Sequence, residues 1–232
     1  MSLPPINVSG IAFDLDGTLV DTLPDLAHAA NKMLEQLGFP SVSMSEFSNY
    51  IGHGVDGLIN GLLKKFLKNF SEHNTLTLEA HAIFKKEYRL CVPRFSKVYS
   101  GVYDALDILK GYQVKLFCVT NKPYEYTRII LRDLALEEYF DLVLAGDTLD
   151  RKKPDPLPLN HLSRVFGLPI KRLLMVGDSI VDIKTAREAG CPVFCVSYGY
   201  HGQNEIDSLG ADAIIDSVRD IFPLISLDQH AC

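Results

Sequence analysis

Two aspartates near the start of the chain are spaced so that their carboxylates could act together. Asp14 and Asp16 lie two residues apart in an extended stretch, which points both side chains the same way. Two neighbouring carboxylates repel each other unless a cation or a shared proton relieves them. Gly17 follows and allows a tight turn with close approach of a ligand to the backbone. Taken alone, this segment equally suits a solvated Asp-Gly turn.

A second acidic pair occurs far along the chain. Asp178 follows an apolar run, and Asp182 lies one helical turn later on the same side. Together with Asp14 they would form a carboxylate cluster of the kind that holds Mg²⁺, a hard cation that prefers oxygen ligands. For Asp182 the alternative is a first-turn helix acid that is stabilised by the helix dipole.

Two further segments could bind an anion. Thr120 and Asn121 follow another apolar run, where a hydroxyl and the first N–H groups of a helix can bind an anionic oxygen. A plain helix cap is the alternative for Thr120. Lys153 precedes Pro154 in a loop that proline stiffens. A fixed ammonium beside carboxylates would offset their charge and hold a phosphate.

Short apolar runs must position these side chains, and helical patterns separate most of the runs. Such alternation predicts an α/β fold, a doubly wound (Rossmann-like) and mostly parallel sheet. Ligands of such sheets bind outside the carboxyl ends of the strands, where the polar segments stand. The runs are residues 8–13, 114–119, 142–145, 173–176, 193–196 and 213–215.

About a hundred residues separate the first run from the second, far more than a crossover needs. The excess, residues 22–95, shows helical patterns, with one helix starting near Pro24 and stopping before Gly38 and another over residues 77–92. We therefore predict a helical cap domain inserted after strand 1, with the α/β core formed by residues 1–21 and 96–232.

Composition excludes several classes of protein. The chain has 232 residues with 23 Lys+Arg against 29 Asp+Glu, a formal net charge of −6, which argues against a nucleic-acid partner. No stretch approaches the roughly 18 apolar residues of a membrane span, and no secretory signal is visible. The five cysteines are odd in number and lack C-x-x-C spacing. We expect a cytoplasmic monomer or homodimer that does not associate with membranes.

The order of acid pair, Thr, Lys and acid resembles the four motifs of the haloacid dehalogenase-like (HAD) superfamily. The resemblance implies phosphoryl transfer to Asp14, which gives an aspartyl-phosphate that water hydrolyses, with Mg²⁺ as cofactor. The motifs stand here as Asp14-Leu15-Asp16-Gly17-Thr18, Thr120-Asn121-Lys122, Lys153-Pro154 and Gly177-Asp178-Ser179-Ile180-Val181-Asp182.

The resemblance also implies a role for each motif residue. Asp14 would be the nucleophile and a Mg²⁺ ligand. Asp16 would protonate the leaving group, activate the water and lend Mg²⁺ its backbone carbonyl. An acid at position 16 favours a phosphatase or a phosphomutase, since a dehalogenase has no need to protonate a halide.

The remaining motif residues would bind the phosphoryl group and the metal. Thr120, the Asn121 N–H and the Gly17 turn would contact phosphoryl oxygens, and Lys153 would neutralise developing charge. Asp178 would be the second side-chain ligand of Mg²⁺, with Asp182 ordering a metal-bound water.

Within the superfamily the sequence is most similar to bacterial phosphoglycolate phosphatases, so the implied substrate is a small anionic phosphate, 2-phosphoglycolate. This resemblance rests on residues 14–26, Ile51-Gly52-His53-Gly54 and Lys153-Pro154-Asp155-Pro156. His53 and Gly54 would contact the non-phosphate end of the substrate, unless they form a glycine-rich turn with a solvent-facing His.

Three alternatives remain at this point. Pyrophosphate or a sugar phosphate could replace 2-phosphoglycolate as substrate. A β-phosphoglucomutase-like phosphomutase would share every core residue and use a cap histidine, His28 or His53. A signalling receiver domain has a similar set of polar residues but is roughly half this length and lacks an insertion after the first strand.

Overall fold

The chain folds around a sheet of six parallel strands. The computed structural model describes residues 4–47, 50, 54–68, 71, 75–200 and 210–227. The sheet order is β6-β5-β2-β7-β8-β9, and two smaller sheets pair β1 with β10 and β3 with β4. The strands are β1 (Ile6–Val8), β2 (Gly10–Phe13), β3 (Val20–Asp21), β4 (Lys97–Val98), β5 (Lys115–Val119), β6 (Leu142–Leu144), β7 (Leu173–Gly177), β8 (Val193–Val196), β9 (Ala213–Ile215) and β10 (Ile225–Leu227).

Helices cover both faces of this sheet. Side chains of α5 and α6 pack in one apolar cluster, and those of α7 and α8 pack in a second cluster on the other face. The predicted doubly wound α/β fold is thereby confirmed. The helices are α1 (Leu23–Gln36), α2 (Met44–Phe47), α3 (Gly54–Phe66), α4 (Thr75–Cys91), α5 (Val102–Gly111), α6 (Tyr124–Asp133), α7 (Leu157–Phe166) and α8 (Ile180–Ala189).

The buried positions of the central strands are apolar because both of their faces are covered. In β2, Ile11 and Phe13 belong to the first cluster, whereas Ala12 belongs to the second. In β5, Leu116 and Phe117 divide between the clusters in the same way. This explains why the sequence shows continuous apolar runs rather than alternation.

The predicted run over residues 8–13 is wrong as a single strand. Gly10 pairs with Lys115 and Leu173, the first residues of both neighbouring strands. Among the described residues before Gly10, only the Ser9 carbonyl still bonds to the main sheet, where it accepts the Lys115 N–H. The strand β1 pairs instead with β10 near the end of the chain. The sequence pattern does not reveal where the neighbouring strands begin.

The long connection between β2 and β5 is largely helical. It contains α1 to α4, and α1 packs closely against α4. An antiparallel pair of short strands, β3 and β4, joins the two ends of this helical stretch. No helix among the described residues is both long and apolar enough to cross a membrane. The division into a cap of residues 22–95 and a core remains our proposal.

A buried carboxylate fastens the two ends of the helical stretch. Asp25, in the first turn of α1, is fully buried. Its oxygens accept the N–H groups of Phe95 and Ser96, each at 2.9 Å, and the hydroxyl of Ser96. One side chain therefore fixes the start of α1 to the segment that leads back into β4.

We expect Asp25→Ala to destabilise the fold by about 2–4 kcal/mol, because it leaves buried donors without an acceptor. Denaturant unfolding followed by circular dichroism would measure the change. Glu79→Ala, at an exposed acid on α4, is the matched control and should stay within about 0.5 kcal/mol of the wild type. Equal stability of the two variants would contradict the fastening role of Asp25.

Candidate active site

The polar segments predicted from the sequence meet at the carboxyl ends of β2, β5 and β7. They enclose a cavity of about 100 Å³ between these strand ends and helices α1, α3 and α4. The cavity is lined by predicted site residues and by residues that the sequence did not single out. The predicted ones are Asp14, Asp16, Gly54, Thr120, Asn121, Lys153 and Asp178.

Asp14 stands directly after β2 in a buried position. Lys153 Nζ lies 2.9 Å from its carboxylate, and the Leu15 N–H donates to the same oxygen at 2.7 Å. Burial raises the pKa of Asp14 to about 7, and Asp182 and Asp16 add to the rise while Lys153 opposes it. A buried carboxylate whose pKa is shifted and which contacts one ammonium is typical of a functional site.

Lys153 connects two carboxylates. It is 3% exposed, and its Nζ lies 2.9 Å from Asp14 and 2.6 Å from Asp182. Burial alone would lower the pKa of Lys153, but the charges of Asp14 and Asp182 outweigh it and raise that pKa. The side chain therefore stays cationic at the position where the resemblance requires a positive charge.

Asp182 has both carboxylate oxygens engaged. One accepts from Lys153 Nζ, and the other accepts the N–H groups of Asp178 and Ser179 and the Ser179 hydroxyl. The bonds to Ser179 form a capping box at the start of α8, so the helix-acid alternative is also realised. Asp182 therefore holds Lys153 and the strand-end loop in place.

The donor set at this edge fits a magnesium ion. One oxygen each of Asp14, Asp178 and Asp182 lies within 4.8 Å of the others. Burial, followed by the charges of Asp182 and Asp14, raises the pKa of Asp178 well above its usual range. A divalent cation would relieve this repulsion. Because Asp182 is engaged, Asp14 and Asp178 are the candidate side-chain ligands.

Asp16 faces a different cation from Asp14. Lys122 Nζ lies 2.8 and 2.9 Å from its two oxygens, and the Thr22 hydroxyl donates to it at 2.5 Å. Lys122 is 7% exposed. The sequence includes Lys122 in the motif after β5 but gives no sign of this contact, because its partner lies 106 positions away.

The turn after Asp16 brings the backbone close to the second acidic pair. Gly17 has a φ of 81°, and a Cβ there would lie 2.2 Å from Asp178 Oδ2. Only glycine fits this position without displacing Asp178. Its contact with a phosphoryl group stays a prediction.

Thr120 and Asn121 lie at the end of β5, where the sequence places them. Thr120 is 3% exposed, and its hydroxyl oxygen accepts the Lys122 N–H at 3.1 Å, as a cap would. Asn121 Nδ2 donates to the Lys153 carbonyl at 2.8 Å and so joins the loops after β5 and β6. Their binding of phosphoryl oxygens stays a prediction.

Of the residues expected from the cap, only some are described. Gly54 begins α3 and lines the cavity. His53 lies outside the described residues, so its role stays a prediction. His28 is exposed on α1, packs against the ring of Phe95 and is not among the residues that line the cavity.

Tyr200 is a further residue that sequence reasoning missed. Its N–H donates to Asp178 Oδ2 at 2.5 Å. Its hydroxyl donates to Asp21 at 2.5 Å and accepts the N–H groups of Thr22 and Leu23 at 2.9 and 3.0 Å. One side chain therefore links a candidate metal ligand to the start of α1. No local signal marks it, since the partners of its hydroxyl are nearly 180 positions away.

The fold and the site together define a class of protein. Buried carboxylates offset by two buried lysines, at the carboxyl edge of a parallel sheet, are typical of an α/β enzyme that acts on a small anionic substrate.

Comparison with known proteins specifies the family. The haloacid dehalogenase-like hydrolase family matches residues 11–196. A phosphoglycolate phosphatase of Thiobacillus denitrificans is 41% identical over 216 residues, which cover 93% of this chain and 95% of that protein. One of Nitrosospira multiformis is 38% identical, with 95% and 97% covered. The chain belongs to the haloacid dehalogenase-like hydrolases, which confirms the resemblance read from the motifs, and it is a phosphoric monoester hydrolase.

A solved structure agrees with this assignment. The crystal structure of a predicted phosphoglycolate phosphatase from Haemophilus somnus has a TM-score of 0.87 and 34% sequence identity. The match covers 93% of this chain and 97% of that one.

The raised pKa of Asp14 predicts how stability depends on pH. The folded-state pKa is about 7 and the ordinary value is 3.8, so between these values the folded protein holds a proton that the unfolded chain has released. Stability of the metal-free protein should therefore fall as the pH rises through this range, with the loss complete above about pH 7.

Thermal unfolding at about pH 5.5 and about pH 8, with and without Mg²⁺, measures this effect. We expect Mg²⁺ to raise Tm more at the higher pH, and Asp14→Asn to reduce the pH dependence. Equal Mg²⁺ effects at both pH values in the wild type would contradict this account.

Proposed function

We propose that this protein is a Mg²⁺-dependent phosphatase that hydrolyses 2-phosphoglycolate to glycolate and phosphate through an aspartyl-phosphate on Asp14. The observation that carries the proposal is the buried Asp14 carboxylate, with Lys153 Nζ at 2.9 Å and a second acid two residues later. The relatives named phosphoglycolate phosphatase support the choice of substrate.

In the first half-reaction an Asp14 oxygen forms a bond to phosphorus. The bond from phosphorus to the ester oxygen breaks, and that oxygen takes a proton from Asp16. The Thr120 hydroxyl and the Asn121 N–H hold the non-bridging oxygens. Lys153 offsets the charge that gathers on them, and it is already aligned by Asp182.

In the second half-reaction Asp16 acts as a carboxylate. It takes a proton from a water molecule whose oxygen attacks phosphorus, and the bond from phosphorus to Asp14 breaks to release phosphate and restore the nucleophile. Mg²⁺, when held by the Asp14 and Asp178 side chains and the Asp16 carbonyl, supplies further neutralisation of the phosphoryl charge.

The described lining of the cavity weighs against one alternative. The phosphomutase alternative loses His28, which is exposed and does not line the cavity.

The proposal also covers the roles of the two domains, the cellular location and the oligomeric state. We place substrate selection in the cap of residues 22–95 and catalysis in the core. Free, buried thiols at the four described cysteines support a reducing, cytoplasmic location. We propose a monomer or homodimer with no nucleic-acid partner.

Phosphate release with Mg²⁺ tests the proposal on a panel of 2-phosphoglycolate, pyrophosphate, sugar phosphates and an aryl phosphate. We expect kcat/KM for 2-phosphoglycolate to exceed the others at least about tenfold, or about 1.4 kcal/mol of transition-state preference. Asp14→Asn and a sample with EDTA should release no phosphate above background. Preference for another ester would contradict the substrate, and turnover by Asp14→Asn would contradict the mechanism.

A further inference from the structure

Two cations line the cavity among the described residues, and only one of them faces the predicted phosphoryl site. Lys153 lies between Asp14 and Asp182. Lys122 lies on the other side of Asp16, where it contacts both carboxylate oxygens. A substrate with both a phosphate and a carboxylate brings two anionic groups, and a second cation would offset the charge of the carboxylate.

Tyr88, on helix α4, covers Lys122. The Nζ atom of Lys122 lies 5.2 Å from the centre of the Tyr88 ring, a distance at which a cation and an aromatic face attract. Packing against Phe84 and Tyr126, with ring centres 5.6 and 4.9 Å away, fixes the orientation of the ring. The predicted cap thus closes over the second cation of the core.

The hydroxyl of Tyr88 is buried and has no hydrogen-bond partner within 3.5 Å in the described part of the chain, while the charge of Lys122 acts on it from a longer distance. The residue is 1% exposed and lines the cavity. Buried hydroxyls are nearly always paired, because an unpaired one costs about 1–3 kcal/mol. A hydroxyl left unpaired at a cavity wall is expected where a ligand supplies the missing partner.

Apart from Asp16, which contacts Lys122, the described residues that helices α1 and α3 contribute to the cavity wall are apolar. Leu26, Val55 and Leu58 line the same cavity from helices α1 and α3. A carboxylate that entered this end would meet the ammonium of Lys122, the hydroxyl of Tyr88 and these apolar groups, and it would repel the Asp16 carboxylate from Lys122. Low polarity strengthens such an ion pair, which favours a carboxylate over a neutral group of similar size.

We propose that Lys122 and Tyr88 form the subsite for the carboxylate of the substrate. This inference rests on the proposed phosphatase function and names the residues that select an acidic ester. Lys122 is bound to Asp16 in the free protein and exchanges that partner for the substrate carboxylate, while the Tyr88 hydroxyl donates to the same group.

The exchange has a consequence for Asp16. In the free protein both oxygens of Asp16 accept hydrogen bonds from Lys122, which fixes the orientation of the Asp16 side chain. Once the substrate carboxylate occupies Lys122, Asp16 is released to turn towards the ester oxygen. An ester without a carboxylate leaves Asp16 on Lys122, so the subsite selects through the rate of the chemical step as well as through binding.

The test compares kcat/KM for 2-phosphoglycolate with kcat/KM for ethyl phosphate, which has a methyl group in place of the carboxylate. The ratio of the two kcat/KM values is taken within each variant, because this ratio cancels any effect that the substitution has on both substrates. We expect Lys122→Met to narrow the wild-type preference for 2-phosphoglycolate at least about tenfold, and Lys122→Arg to restore part of it. Lys152→Met, at an exposed neighbour of Lys153, is the matched control and should keep the wild-type ratio.

Tyr88→Phe provides a second variant that keeps the ring and removes only the hydroxyl. We expect it to narrow the preference at least about threefold, mainly through a higher KM for 2-phosphoglycolate. Its Tm should change little, because the hydroxyl makes no direct hydrogen bond in the described part of the chain. A purely structural tyrosine would leave the substrate ratio unchanged.

Two results would overturn the inference while the proposed function stood. One is an equal loss of kcat/KM for both substrates in Lys122→Met, which would mean that Lys122 acts only by holding Asp16. The other is an unchanged ratio in Tyr88→Phe. A wild type that releases no phosphate from 2-phosphoglycolate would instead contradict the proposed function itself.

Discussion

Repulsion among buried carboxylates is the constraint on which this site depends. Asp14, Asp178 and Asp182 converge within 4.8 Å at the carboxyl edge of the sheet, and Asp16 lies beside them. Burial raises the pKa of Asp14 and of Asp178, and the like charges of the neighbouring carboxylates raise it further. Two buried lysines divide the task of offsetting this charge. Lys153 contacts Asp14 and Asp182, and Lys122 contacts Asp16.

The predicted cap and core share the residues that maintain this balance. Tyr200 links Asp178 to the backbone at the start of α1, and Asp25 links α1 to the segment before β4. Tyr88 covers Lys122 from α4. Each contact joins groups far apart in sequence, so the helical stretch after β2 helps to define the polar site as well as to enclose it.

The sequence predicted the parts of the site that follow from topology. Asp14, Thr120 and Asp178 each follow a buried parallel strand, and such strands end at one edge of the sheet, so their convergence needed no knowledge of packing. Lys122, Tyr88 and Tyr200 could not be assigned, because their roles depend on contacts between elements that packing alone brings together. The same limit applies to β1, which leaves the main sheet where its neighbours begin.

In the proposed mechanism Asp14 carries the phosphoryl group between the two half-reactions. Rapid acid quenching of the enzyme during turnover of 2-phosphoglycolate with Mg²⁺, followed by peptide mass spectrometry, would detect this intermediate. We expect one added phosphoryl group on the peptide that contains Asp14, and none in a sample quenched after the substrate is exhausted. A phosphoryl group on another residue, or phosphate release with no labelled peptide at any quench time, would contradict it.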